Sequence, residues 1–98
     1  MRYRIVMTDE TVQDYRSLSA YHRSAVRDAI LQHLGHKPTH TSRSRIKRLR
    51  GNYRPQYRLR VDELRVFYRV EEDTVIVLGI VTKSEQDQWL RRQSANEK

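Results

Sequence analysis

The chain has no cysteine, two prolines, three glycines, one tryptophan and one phenylalanine among its 98 residues. Without thiols it can build neither a disulfide framework nor a thiolate metal site, which suits a reducing compartment. A single domain spanning 1–98 is long enough to bury most of its apolar side chains and fold without such staples. Long hydrophobic runs are missing too: the longest, Val75 to Val81, has seven residues, far short of a membrane span. The N-terminus lacks the basic-then-apolar layout of a secretion signal, so the expectation is a soluble cytoplasmic protein. His22, His33, His36 and His40 form no compact ligand motif, and neither a metal nor a cofactor is expected.

The most informative absence is negative charge. From Arg43 to Arg60 the stretch RSRIKRLRGNYRPQYRLR holds no acidic residue, and ten of the chain's 20 basic side chains fall between Arg43 and Arg69. The formal charge of +8 favours a polyanionic partner, either nucleic acid or an acidic protein. Arginine outnumbers lysine 16 to 4, which leans toward bidentate phosphate recognition.

Spacing turns this charge into a surface. Tyr57-Arg58-Leu59-Arg60-Val61 and Leu64-Arg65-Val66-Phe67-Tyr68-Arg69-Val70 alternate apolar and mostly basic residues, the period of a strand. If Asp62-Glu63 is the turn of an antiparallel hairpin, Val61 faces Leu64, Arg60 faces Arg65, Leu59 faces Val66 and Tyr57 faces Tyr68. One face is then apolar and the other basic. Like charges directly opposite one another cost up to about 1 kcal/mol. A bound phosphate would relieve the Arg60/Arg65 repulsion; the alternative is a solvated outer face that keeps the sheet soluble. On that face Phe67 reads as an exposed aromatic between Arg65 and Arg69, suited to stack on an unpaired base.

Arg2 to Val6 reads as a first strand with Tyr3 and Ile5 inward. Thr8 or Asp9 can cap a helix carrying Val12, Tyr15 and Leu18, and Ser19 a second one carrying Val26, Ala29, Ile30, Leu31 and Leu34. Gly35 closes that helix as a C′ glycine. His36 to Ser44 reads as a loop, Arg45 to Arg50 as a strand broken by Gly51-Asn52, and Glu71-Glu72-Asp73 as a turn. Thr74 to Val81 is expected to be a strand buried on both faces, Lys83 to Arg92 a short helix, and residues 94–98 to fray. The fold class is α+β: an N-terminal strand, an αα-hairpin, then an antiparallel sheet of three to four strands with a short C-terminal helix, the helices on one face.

Leu49-Arg50-Gly51, Tyr57-Arg58-Leu59-Arg60, Leu64 to Val70 and Val75 to Val81 together resemble the RelE/ParE superfamily of bacterial toxin-antitoxin toxins, RelE-like branch. The likeness covers nearly the whole chain. It implies a toxin held in check by a cognate antitoxin. RelE-like members are ribosome-dependent endoribonucleases that cut mRNA in the ribosomal A site, while ParE-like members poison DNA gyrase.

The resemblance also implies a site. Two basic residues on the strand after the Leu-x-Gly element map to Arg58 and Arg60, an arginine on the next strand to Arg65, and a basic residue closing the last strand to Lys83. The family's C-terminal tyrosine falls on Trp89, whose indole N–H is donor-only and cannot replace a phenol in proton transfer. Arginines at 58 and 60 stand where lysines are familiar.

Cleavage by the adjacent 2′-hydroxyl needs a base, an acid and donors for the growing phosphoryl charge. Arg58, Arg60 and Arg65 are the candidates for the last role, with Arg45, Lys47, Arg48, Arg50, Arg54, Phe67 and Arg69 as further RNA contacts. Arginine stays protonated and is a poor base. Lys47 and Lys83 are the candidates for proton transfer, against simple solvated lysines, and His36 and His40 are the two histidines placed to act as bases. Trp89 either stacks on a nucleobase or pins the C-terminal helix to the core.

Overall fold

The computed structural model describes residues 2–93. The expectation of fraying at 94–98 lies outside them. Strand β1 (Arg4–Met7) leads into helix α1 (Asp9–Ser17), and Thr8 is its N-cap, its hydroxyl accepting from the Thr11 N–H at 3.2 Å. Asp9 and Glu10 in the first turn complement the helix dipole. Helix α2 (Ala20–Ala29) starts the same way at Ser19, which accepts from the His22 N–H at 3.2 Å, and runs into a wider π turn, Ile30–Leu34. Gly35 closes the segment without the left-handed twist of a C′ glycine, since its φ is −70°. It is required by a close approach instead: a Cβ there would lie 2.8 Å from the Leu31 carbonyl oxygen.

The remaining strands are β2 (Ile46–Arg48), β3 (Tyr57–Val61), β4 (Leu64–Glu71) and β5 (Thr74–Thr82), followed by a 3-10 turn, Lys83–Glu85, and helix α3 (Gln86–Arg91). With β1 they form one five-stranded sheet in the order β1-β5-β4-β3-β2. β2 to β5 pair antiparallel as expected, and β1 adds to the sheet in parallel beside β5. Every hairpin pair read from the sequence is present: Val61 with Leu64, Arg60 with Arg65, Leu59 with Val66 and Tyr57 with Tyr68. Asp62 turns the chain with a φ of 54°, a left-handed conformation that aspartate tolerates.

The core lies between the α2 side of the sheet and the helices. Val26, Ile30 and Leu34 meet Ile46, Leu59, Val66, Val75 and Val77 there, each contributing about 1.5–3 kcal/mol of burial. Leu31 departs from the expected stripe and is 59% exposed, because the π turn rotates it away from the apolar row. The Tyr57 and Tyr68 rings stack at 5.5 Å in the same core. The Tyr68 hydroxyl donates to the Pro38 carbonyl at 2.6 Å and so ties the loop 36–45 to the sheet.

β5 is not uniformly buried. Tyr68 pairs with Val77 and Phe67 with Gly79, leaving Leu78 as an extra, bulged residue, and Ile76, Leu78 and Val81 are half-buried. β1 stops short of the bulge, so the far half of β5 would present a bare edge. Helix α1 covers it. The buried Thr11 donates its hydroxyl to the Val77 carbonyl at 2.8 Å, and the Asp14 carboxylate accepts from the Ile80 N–H at 3.2 Å.

The helices do not all share one face. α3 lies on the outer side, where Trp89 stacks on Phe67 with ring centroids 4.7 Å apart and sits directly over Gly79. An isolated glycine within a strand marks such a close approach.

Candidate nucleic-acid interface

The sheet register assembles the basic face. Lys47 on β2 stands opposite Arg58 on β3, and Arg60 stands opposite Arg65 on β4. Arg45 extends the row: the Arg60 N–H donates to its carbonyl at 2.9 Å, and its Nη1 donates back to the Arg60 carbonyl at 3.2 Å. These five side chains line one cleft of about 180 Å³, together with Arg43, Ser42, Ser44 and Ile46. Among the described residues no carboxylate lines it.

Arg65 is the anchor of the cleft and only 5% exposed. Its Nη1 donates to the Asp62 and Leu64 carbonyls at 3.0 and 2.9 Å, which fixes the guanidinium at the hairpin turn. Its Nε is buried with no partner. Burial, then Arg58 and Arg60, pull its pKa below the usual arginine value, with Glu63 opposing them; a guanidinium remains cationic all the same. A phosphate in the cleft would offset the repulsion among Arg58, Arg60 and Arg65. Arg58 is oriented from the other side, its Nη1 donating to the Gln86 Oε1 at 3.1 Å.

Other expected site residues lie elsewhere. Lys83 is exposed at the end of β5, in a neighbouring cleft shared with Glu63 and Asp87. Arg48 faces the opposite side of the sheet: it pairs with Tyr57, donates to its hydroxyl at 3.1 Å and lies 5.1 Å from its ring centroid. Arg69 donates to the Arg54 carbonyl at 3.0 Å and its Nε is 3.1 Å from the Glu71 carboxylate, so its charge is already paired. Arg54 hydrogen-bonds through its backbone to Gln93, and Arg50 is exposed in the loop before Gly51.

One aromatic expectation needs correcting, and one open alternative is resolved. Phe67 is fully buried, so it is no platform for a base. It does point to the basic face, but α3 covers it. Trp89 is 7% exposed and wedged against Phe67 and Gly79; of its two readings, the structure supports the pin. Gln86 and Arg43 were not anticipated as neighbours of the site. Gly79, alone in the apolar run Val75 to Val81, was the available signal that something packs there.

The fold is thus a small helix-braced sheet with a basic cleft on its outer face. The sequence profile of the ParE toxin of type II toxin-antitoxin systems, parDE, matches residues 5–87. The chain belongs to that family and is a toxin of a type II toxin-antitoxin system, as its resemblance to the RelE/ParE superfamily implied.

Solved structures agree in fold. The RelBE2 toxin-antitoxin complex from Mycobacterium tuberculosis is similar with a TM-score of 0.72 at 21% identity, covering 85% of this chain and 100% of that one. The RelE-RelB complex from Pyrococcus horikoshii gives 0.66 at 23%, covering 85% and 97%. A mutant of the Escherichia coli toxin RelE in the free state gives 0.58 at 13%, covering 96% and 95%. No curated protein sequence matches the chain.

Proposed function

We infer that this toxin is an mRNA endoribonuclease acting on the ribosome, in the cytoplasm, and held inactive by a cognate antitoxin. The observation that carries the reading is the cleft of Arg45, Lys47, Arg58, Arg60 and Arg65, with a buried arginine at its base whose Nε has no partner. Three arginines lining one cleft suit the transition state of 2′-oxygen attack, in which charge grows on the phosphoryl oxygens as the P–O5′ bond breaks. Arg58, Arg60 and Arg65 fill that role without a metal. Arginine stays protonated, so Lys47 is the one basic side chain lining the cleft, among the described residues, that could take part in proton transfer. It is therefore favoured over Lys83, whose cleft holds two carboxylates. The antitoxin follows from the family, and relatives of this fold have been solved as toxin-antitoxin complexes.

A second reading has its own support. Trp89 is buried and offers no phenol, and the matching profile is that of ParE. On this reading the same face blocks DNA gyrase or another target without cutting RNA.

Mapping 5′ ends of a reporter mRNA in a bacterial translation extract, with and without ribosomes, separates the two. Discrete ribosome-dependent cuts that vanish with Arg60→Ala and weaken with Lys47→Gln support cleavage. Intact mRNA, together with inhibited supercoiling in a parallel gyrase assay, would replace it with the second reading.

A further inference from the structure

A second cleft, of about 370 Å³, lies on the other side of the start of β2. Three of the chain's four histidines line it: His33 from the end of the helical hairpin, and His36 and His40 from the loop after it. Among the described residues, Lys37 and Arg45 are the only other charged side chains on its walls, and none is a carboxylate. Arg45, Ser42 and Ile46 line both this cleft and the arginine cleft, so the two are neighbours sharing one wall. That wall is the segment leading into the edge strand β2, and a flexible polyanion gripped on the outer face can pass round it.

We propose that the histidine cleft is a second phosphate subsite, which takes the next part of a single-stranded RNA held in the arginine cleft and binds it more tightly as pH falls. The proposal rests on the reading of the arginine cleft as an RNA site. Single-stranded RNA fits better than an acidic peptide, because imidazole rings stack on splayed bases as well as pairing with phosphate. Histidine gains its charge between about pH 7.5 and 5.5. His36 and His40 are exposed. His33 is half-buried, and burial first, then Arg45, hold its pKa below the usual histidine value. A phosphate between His33 and Arg45 would cancel the second of these causes.

The test is binding by fluorescence anisotropy at about pH 7.5 and about pH 5.8, using labelled oligouridylate, the single-phosphate dinucleotide UpU and polyglutamate as probes. Wild type is expected to bind the oligonucleotide about tenfold more tightly at the lower pH. His36→Gln/His40→Gln, at two exposed positions, should lose the gain on lowering the pH. UpU should show no gain in either protein. A gain that survives the double substitution overturns the proposal, as does an equal gain with UpU or no oligonucleotide binding at all. A gain confined to polyglutamate would assign the cleft to an acidic protein segment instead. Loss of ribosomal cleavage activity with this binding pattern intact would remove only the endonuclease reading; the converse would remove only the subsite.

Discussion

Replacing Gly79 with alanine should unseat Trp89. A Cβ at that position would lie 2.7 Å from the Trp89 Cε2 and 3.1 Å from its Nε1, with Cζ2 nearer still. Ordinary carbon contacts are about 3.5–4.0 Å, so the ring must move by roughly 1 Å. Overpacking of this kind costs about 1–3 kcal/mol. Full ejection of the ring would cost more, about 4–6 kcal/mol for the area a buried tryptophan covers, so the ring shifts in place and α3 loosens. For a domain of this size a loss of about 2 kcal/mol lowers Tm by roughly 10 °C. Trp89 is the chain's single tryptophan, so its emission reports this contact without interference. Gly79→Ala should red-shift that emission and lower the urea midpoint. In a Trp89→Ala background the same substitution should cost almost nothing, a coupling that a double-mutant cycle reads directly. Unchanged emission and midpoint in Gly79→Ala, or additive costs in the cycle, would refute the wedge.

Three further outcomes follow from named contacts. Tyr68→Phe removes the hydroxyl that holds the Pro38 carbonyl; it should cost about 1–2 kcal/mol in chemical denaturation and speed hydrogen exchange in the loop 36–45. Thr11→Val keeps the shape but deletes the donor to Val77, and a loss of about 1 kcal/mol or more is expected in the same assay. Burial raises the Asp14 carboxyl above the ordinary carboxylate range, the Ile80 N–H draws it back down, and Glu10 and Glu85 add to the rise. A pKa raised in the folded state means the folded chain holds the proton more tightly, so this group's contribution improves as pH falls through the raised value and is lost above it. Asp14→Asn should keep the bond to Ile80 and flatten the difference in Tm between neutral pH and about pH 4; identical pH profiles for the two proteins would contradict the assignment.

The hairpin was legible because period-two alternation and a two-residue turn leave only one register that puts every apolar side chain on one face. The same rule, carried onto β2, would have sent Ile46 and Arg48 inward and Lys47 outward; reading that stretch as uniformly basic hid the face of Arg48. Phe67 shows the limit of alternation. It gives the correct face, but burial there comes from α3, nineteen or more residues later in the chain. The parallel seat of β1 depends on where the helical hairpin returns the chain, which no local pattern encodes. The histidines form no compact ligand motif in sequence, and it is the fold after α2 that brings His33, His36 and His40 to one cleft.

On the reading proposed above, the arginine cleft stabilises charge on a scissile phosphate. The most direct test of that role is the single-turnover cleavage rate of a defined mRNA on programmed ribosomes, compared between wild type and Arg60→Ala, an exposed position whose side chain lines the cleft. Loss of one such donor should slow the cut by about 10²–10³-fold while leaving the urea midpoint in place. Equal rates in the two proteins, or no cleavage by a folded wild type, would contradict it.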